Sequence, residues 1–294
     1  MFVPHDLLNA LVIFAAGLAA GTINTVVGSG TLITFPTLLA LGYPPVLANV
    51  SNNVGLVPGV ASGVYGYRSE LGGQRRRLIR LGSASMCGGL VGAILLLTLP
   101  QSAFKDIVPA LIGLAVVMVV IQPRLAKWVA ERQRARAALA APDHGATVSA
   151  VPTVPAGSAV PAGSTVPAGS AASAAEEAIG GPVLWVLVFL AGIYGGYFGA
   201  AQGVLLIGMR GIALNDSLQR INATKNVLAG LVNGLAAVVF ILATHIDWGV
   251  AGLIAAGSII GGQIGARIGR RLPPWGLRVV IVCVGVAALV KLLA

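Results

Sequence analysis

The chain has 294 residues, 56% of them hydrophobic and only 10% charged, and its mean hydropathy of +0.90 is too apolar for a soluble domain of this length. The net charge of +10 is gathered in a few clusters between apolar stretches, a pattern that membrane topology accounts for and nucleic-acid binding does not. Two cysteines, Cys87 and Cys283, form no metal-ligand spacing, so neither a metal nor a cofactor is expected.

Taken in order, apolar stretches run over residues 7–27, 31–42, 45–67, 79–99 and 106–122. The first residues, Met1 to Asp6, lack the basic start of a signal peptide, so the first stretch is expected to be retained. A basic segment follows from residue 123, and residues 141–180 repeat Val-Pro-Ala-Gly-Ser with little variation. Such a segment cannot bury a core and is expected to be a disordered tether. Five more apolar stretches then cover 183–199, 203–214, 217–243, 246–266 and 276–293. The organisation expected is a first membrane repeat over 1–122, a basic segment and linker over 123–180, and a second repeat over 181–294.

Most of these stretches reach the ~20 residues that a membrane-crossing helix needs. The two that do not, 31–42 and 203–214, occupy equivalent places, and each follows a glycine cluster: Gly28-Ser29-Gly30 and Gly199-Ala200-Ala201-Gln202-Gly203. Matched short, glycine-interrupted segments point to broken helices at a transport site. Charge then fixes the count. Arg68, Arg75–Arg77 and Arg80, then Arg124, Lys127, Arg132, Arg134 and Arg136, then Arg267, Arg270 and Arg271 all belong on the cytoplasmic side. Five spans per half put all three clusters there, whereas four per half would turn Arg267–Arg271 outward. The fold expected is therefore an all-α membrane protein of about ten transmembrane segments, five plus five inverted repeats with two short broken helices, both termini outside. Pro36, Pro44, Pro45 and Pro58 mark helix starts and kinks.

Asn49-Val50-Ser51-Asn52-Asn53-Val54 recurs in the second half as Asn222-Ala223-Thr224-Lys225-Asn226-Val227, with Lys225 in place of Asn52. Gly30 and Leu32 fall on Gly203 and Leu205 at the same offset, and Gly21 and Gly28 on Gly192 and Gly199 with a two-residue gap. Asn222, Lys225, Asn226 and Asn233 share one helix face. Lys225 lies eight residues past Ser217, about 12 Å along a helix, and no acidic residue lies inside any span as its partner. A buried cation without a partner invites an anion; the alternative is a lysine snorkelling to the cytoplasmic interface. Asn49, Asn52 and Asn53 form the matching face, offering uncharged donors and acceptors, or gluing helices together. Ser51 and Thr224 are equivalent hydroxyls that either touch substrate or bond back to their own helix. Gly28, Ser29, Gly30, Thr31, Gly199, Gln202 and Gly203 lie where backbone N–H groups at helix starts favour anions, or simply where helices pack closely. Arg210 and Arg220 read as interface anchors that can also guide anions inward. His245 and Asp247 sit in an outer turn, where proton coupling and plain solvation are both open.

Gly17-Leu-Ala-Ala-Gly21-Thr-Ile-Asn24-Thr-Val-Val-Gly28-Ser-Gly30, followed by Pro36 and the Ala48–Asn53 patch, resembles the first repeat of the sulfite exporter TauE/SafE family, the TSUP permeases. Gly192-Ile-Tyr-Gly195-Gly196-Tyr-Phe-Gly199, then Gln202-Gly203 and Asn222–Asn226, resembles the second. The resemblance covers both membrane halves and not the 141–180 linker. It implies a multi-pass permease of the bacterial inner membrane that moves sulfite or organosulfonates. The chain departs from the family at Ser29, where another glycine is common.

The reading is a secondary transporter for a small anion in a lipid bilayer, sulfite or an organosulfonate, working by alternating access and not as an enzyme. Lys225 supplies charge, and Asn49, Asn52, Asn53, Asn222 and Asn226 supply hydrogen bonds. Coupling to H+ or Na+ and assembly into a homo-oligomer stay open. An intramembrane serine protease on Ser29 is disfavoured, because Val27 stands two residues before it and all three histidines lie outside the spans. The alternative kept is a non-transporting membrane assembly or sensing protein on a transporter-like fold.

Overall fold

A computed structural model describes residues 4–140, 182–213, 218–268 and 274–293. The linker at 141–180, Arg270, Arg271, Asp216 and Ser217 lie outside the described residues, as do the side chains of Arg132, Arg136 and Arg210. Among the described residues ten α-helices follow one another: α1 (Pro4–Val26), α2 (Thr31–Ala40), α3 (Pro45–Gly66), α4 (Arg75–Thr98), α5 (Gln101–Ala140), α6 (Pro182–Tyr197), α7 (Gln202–Ala213), α8 (Leu218–Ala243), α9 (Trp248–Ile268) and α10 (Pro274–Leu293). A 3-10 turn at Arg68–Leu71 joins α3 to α4. No strand occurs among the described residues, as expected for an all-α membrane protein.

Among the described residues five stretches are long and apolar enough to cross a bilayer: Asp6–Val26, Arg75–Thr98, Ser102–Leu125, Gln219–Ala243 and Trp248–Arg267. α2, α6 and the Ile281–Val290 part of α10 are apolar but shorter. α3 has the length, at 22 residues, and carries the Asn49–Asn53 cluster that lowers its hydropathy. Leu7, Leu11, Ile94, Leu95, Val117, Val120, Ile121, Val186 and Leu190 are all exposed. An outward belt of large aliphatic side chains is what a lipid-facing surface requires.

Proline behaves as its chemistry demands. Pro45 opens α3, with Pro44 before it, where a missing N–H costs nothing. Pro36 and Pro58 lie inside α2 and α3. α5 continues through the basic segment to Ala140. Past Pro123 it is built from Ala, Leu, Arg, Lys, Glu and Gln with one Trp and one Val, mostly strong helix formers, so it keeps its form after its apolar stretch ends.

The helices pair by exchange between the halves. α1 packs most extensively on α9, and α4 on α6. α3 also meets α9 as α8 meets α4, and α2 meets α10 as α7 meets α5. Advancing every helix number by five, with return to the start after α10, maps this set of contacts onto itself. Gly17 and Gly21 of α1 lie against Ile254 and Ser258 of α9, whose Gly257, Gly261 and Gly265 meet Phe14, Leu18 and Thr22 in return. Gly88 and Gly92 of α4 meet Gly192, Ile193 and Tyr197 of α6 in the same manner. In both pairs the register climbs together, so each pair runs parallel. Small residues every fourth position let the backbones touch, which supplies the packing that drives association where lipid offers no hydrophobic effect between helices. The Ser258 hydroxyl donates to Gly55 O at 3.1 Å and its counterpart Ser85 to Leu228 O at 3.3 Å. Gly88, Gly89 and Gly92 correspond to Gly261, Gly262 and Gly265 at the offset that relates Asn49 to Asn222, an equivalence absent from the sequence reading above.

Gly21→Val is expected to lower the thermal unfolding midpoint of the purified protein in detergent, because its Cβ would lie 2.7 Å from Ser258 Cα and overpacking costs about 1–3 kcal/mol. Gly113→Ala in α5, with nothing within 4 Å of the new methyl, is expected to leave the midpoint unchanged or raise it, by up to about 1 kcal/mol.

Candidate functional site

α1 and α6 both stop short and are closed by the same pair of bonds. Val27 and Gly28 N–H donate to Ile23 O at 2.7 and 3.1 Å; Phe198 and Gly199 N–H donate to Tyr194 O at 3.0 and 3.1 Å. Gly28 and Gly199 then take left-handed φ values of +87° and +76°. The two breaks meet at the crossing of Gly28 with Gly203. The Gly203 N–H donates to Gly28 O at 3.3 Å, and a Cβ on Gly28 would lie 2.5 Å from Gly203 Cα. Gly28 is therefore required twice, for its backbone angle and for this approach.

A helix that ends inside a membrane leaves carbonyls without partners. Here the polar helix of each half supplies the donors for the broken helix of the other. Lys225 of α8 is fully buried, passes beside Gly203, and donates from Nζ to Asn24 O and Thr25 O at the end of α1, each at 3.2 Å. Asn226 Nδ2 donates to Thr25 O at 3.4 Å. In the opposite sense, Asn49 Nδ2 of α3 donates to Tyr197 O at the end of α6, at 3.0 Å. The Lys225 amino group sits at the negative end of a helix dipole, where a positive charge is stabilised. The expectation named no acidic partner inside a span; the partners seen are the neutral backbone carbonyls at the end of α1. Full burial also removes the snorkelling alternative.

Ser51 and Thr224 bond to loops of the opposite half. Ser51 Oγ accepts from Asp247 N–H at 3.0 Å, in the turn between α8 and α9. Thr224 Oγ1 lies 3.0 Å from Gln74 Oε1, in the turn between α3 and α4, and also 3.0 Å from Arg220 O on its own helix. Gln74 Nε2 in turn donates to Glu70 O at 2.9 Å, and Arg220 Nη2 to Gly72 O at 2.9 Å. Asp247 Oδ1 accepts from Val250 N–H at 3.0 Å and so caps α9. His245 beside it is exposed. Burial, and secondarily the Asp247 carboxylate, raise the Tyr43 phenol above its usual range, which places the α2–α3 turn beside this one.

Several buried polar atoms have no hydrogen-bond partner: Ser29 Oγ, Asn52 Oδ1, Asn53 Oδ1, Gln202 Nε2, Asn222 Oδ1 and Asn233 Oδ1. Five of these belong to residues singled out from the sequence as candidate ligands and Asn233 shares their helix face; Gln122 Oε1 and the Tyr197 hydroxyl, which were not candidates, are likewise unpartnered among the described residues. Gln202 lies against Gly195, and a Cβ on Gly199 would be 4.0 Å from Asn233 Oδ1, so both flank the second break. Gly30 packs on Ala20 and Asn24 of α1. Lys225, Asn226, Gly28 and Gly203 thus converge on the crossing, with Ser29 and Gly30 following Gly28 in the chain. Asn49 serves the second break, and Ser51 and Thr224 serve the turns. The backbone carbonyls of Asn24, Thr25 and Tyr197, and the Gln74 side chain, are partners that sequence reasoning missed. Carbonyls carry no residue signature, and Gln74 stands in a turn with no motif around it.

Gly28→Ala is expected to destabilise the protein at least twice as much as Gly42→Ala, measured as unfolding midpoints in detergent. Both have left-handed φ, a cost of about 1–2 kcal/mol for a side chain, but nothing lies within 4 Å of a Cβ on Gly42. Asn49→Leu, which leaves Tyr197 O unpaired, is expected to cost about 1–3 kcal/mol in the same assay.

Residues 13–292 match the model of the sulfite exporter TauE/SafE family. Among curated proteins, the chain is 24% identical over 305 residues to "Probable membrane transporter protein YfcA" of Escherichia coli K12, covering 100% of this chain and 92% of that one. It is 23% identical to "Probable membrane transporter protein ORF9" of a Sinorhizobium species, over 96% of this chain and 91% of the relative. It is 25% identical to a "Probable membrane transporter protein" of Haemophilus influenzae, over 91% and 87% of the two chains. No solved structure gives a significant match. With its two crossed helix breaks and a family match over nearly its whole length, the chain belongs to the sulfite exporter TauE/SafE family of membrane transporters.

Proposed function

We propose that the protein is a secondary transporter that moves a small anion, sulfite or an organosulfonate, by alternating access of two inverted five-helix repeats. The observation that carries this reading is the fully buried Lys225 ammonium at the crossing of two broken helices. A buried ionisable group in a membrane is costly and belongs to a pathway or a binding site. An ammonium has three donors; two are spent on α1, leaving one for an anion. α2 and α7 both begin beside the crossing, and helix starts add N–H groups and a positive dipole end. The unpartnered Gln202 Nε2 is a further donor for a compact, many-oxygen anion, while the unpartnered Oδ1 atoms of Asn52, Asn53 and Asn222 can accept from a protonated or hydroxyl-bearing substrate. The family description names sulfite, and a sulfur oxyanion suits one cation plus several amides.

In this reading the protein sits in the bacterial inner membrane with its arginine clusters and the 141–180 linker in the cytoplasm. Lys225 and the amides bind substrate, and no residue has a catalytic role. A single cysteine at Ser164, in a background without the two exposed native thiols Cys87 and Cys283, is expected to react with an impermeant maleimide in inside-out vesicles and not in right-side-out ones.

Uptake of radiolabelled sulfite, taurine, sulfoacetate and acetate into proteoliposomes tests the transport reading. The expected result is saturable uptake of a sulfur anion that falls at least ten-fold in Lys225→Ala, since losing a buried charged hydrogen bond costs about 1.5–3 kcal/mol. Uptake that survives in the variant would take Lys225 out of the anion site, and no uptake of any anion would contradict the transporter reading.

A further inference from the structure

The two helix breaks are alike in backbone and unlike in what fills them. At the end of α6 the Tyr197 carbonyl accepts from a neutral amide, Asn49. At the end of α1 the Asn24 and Thr25 carbonyls accept from a cation, Lys225. Unwound carbonyl ends of half-helices are the places where secondary transporters hold Na+ or H+. A cluster of carbonyl oxygens beside a dipole's negative end is a cation site, and here the chain's own ammonium occupies it. Lysine is a cation that can be discharged, because it loses a proton.

Resting on the transporter reading above, we propose that the coupling ion is a proton carried by Lys225, and that this carrier replaces a sodium site. Lys225 is the only Asp, Glu, His, Lys or Arg that is buried among the described residues. Its immediate neighbours, Asn24 and Thr25 of α1, Gly203 of α7 and Asn226 of its own helix, are neutral. Of the elements packed around α8, α3 and α6 contain no Asp, Glu, His, Lys or Arg, and their titratable groups are Tyr65, Tyr194 and Tyr197. The charges of the other neighbours lie toward helix ends and turns: Asp6 at the start of α1, Arg68 and Glu70 in the 3-10 turn, Arg75–Arg77 and Arg80 in the first turns of α4, Arg210 late in α7, and Arg220 early in α8. Among the described residues no carboxylate is buried at the site to bind a metal cation, and no three His, Cys, Asp or Glu side chains cluster.

The cycle balances with one proton per anion. The Lys225 amine takes a proton from water on one side, and the anion binds to the resulting ammonium. The two charges cross as a neutral pair when the anion is monovalent. On the far side the anion leaves and the ammonium returns its proton to water. The neutral amine still has N–H groups for the α1 carbonyls, so the empty carrier returns without a bare buried charge.

The test uses wild-type proteoliposomes and isethionate, a sulfonate whose strong acid does not carry protons across lipid. Counterflow is measured first, with sulfite in parallel, to establish that the anion is transported. Accumulation is then measured under a gradient of one pH unit, with membrane potential clamped at zero by potassium and valinomycin. The expected result is about ten-fold accumulation without sodium, the equilibrium value for one proton per anion, and no accumulation under a sodium gradient alone. Lys225→Arg, a cation that keeps its proton, is expected to lower the ratio of pH-driven accumulation to counterflow at least five-fold. Accumulation that follows sodium, or an unchanged ratio in Lys225→Arg, overturns the inference while counterflow leaves the transporter reading standing. If the arginine variant does not fold, the wild-type gradients decide alone. Absence of counterflow with either anion overturns the transporter reading and this inference with it.

Discussion

A buried helix end exposes carbonyls that no water can satisfy, and this chain buries two, those of α1 and α6. The structure depends on how that debt is met: Lys225 and Asn226 bond the end of α1, and Asn49 bonds the end of α6. Each half is thus incomplete without the other. The glycine-lined α1–α9 and α4–α6 seams bring the halves close enough for these side chains to reach, and Gly28 lies against Gly203 where the breaks cross.

The same exchange extends to the turns. Ser51 and Thr224, equivalent in the two repeats, each reach a turn of the opposite half. One residue of each polar face thereby bonds a turn, and neighbours one or two positions away on the same helix bond the breaks or carry an unpartnered amide oxygen. A movement that separates α3 from the α8–α9 turn, or α8 from the α3–α4 turn, breaks one of these bonds and displaces Asn49 or Lys225 with it. The packing couples Asn49 and Lys225 to the turns, because each lies within one helical turn of the residue that bonds the turn.

Much of this was legible in the sequence, and the reasons are specific. Helix positions followed from apolar run length, and α2 and α7 stood out as too short to cross. The Asn49–Val54 repeat in Asn222–Val227 pointed to the residues that meet the breaks. The glycine clusters at 28–30 and 199–203 marked the breaks themselves. What was not legible were contacts made by backbone. Nothing in the letters Asn24, Thr25 or Tyr197 shows that their carbonyls receive the key bonds, so Lys225 read as a cation without a partner. The continuation of α5 to Ala140 was hidden because charge signals a membrane exit and says nothing about whether the helix goes on. The correspondence of Gly88, Gly89 and Gly92 with Gly261, Gly262 and Gly265 was present in the sequence. It lay among so many other glycines that only the packing singled it out.

The central claim is that the buried Lys225 ammonium has a donor to spare for an anion. A ligand that binds only the folded protein raises its stability, by about 2.7 kcal/mol at a hundred times the dissociation constant. The most direct measurement is the unfolding midpoint of the purified protein over a sulfite titration, beside Lys225→Gln. A saturable rise in the wild type that vanishes in the variant is the predicted result. No rise in the wild type, or an equal rise in Lys225→Gln, would contradict the account.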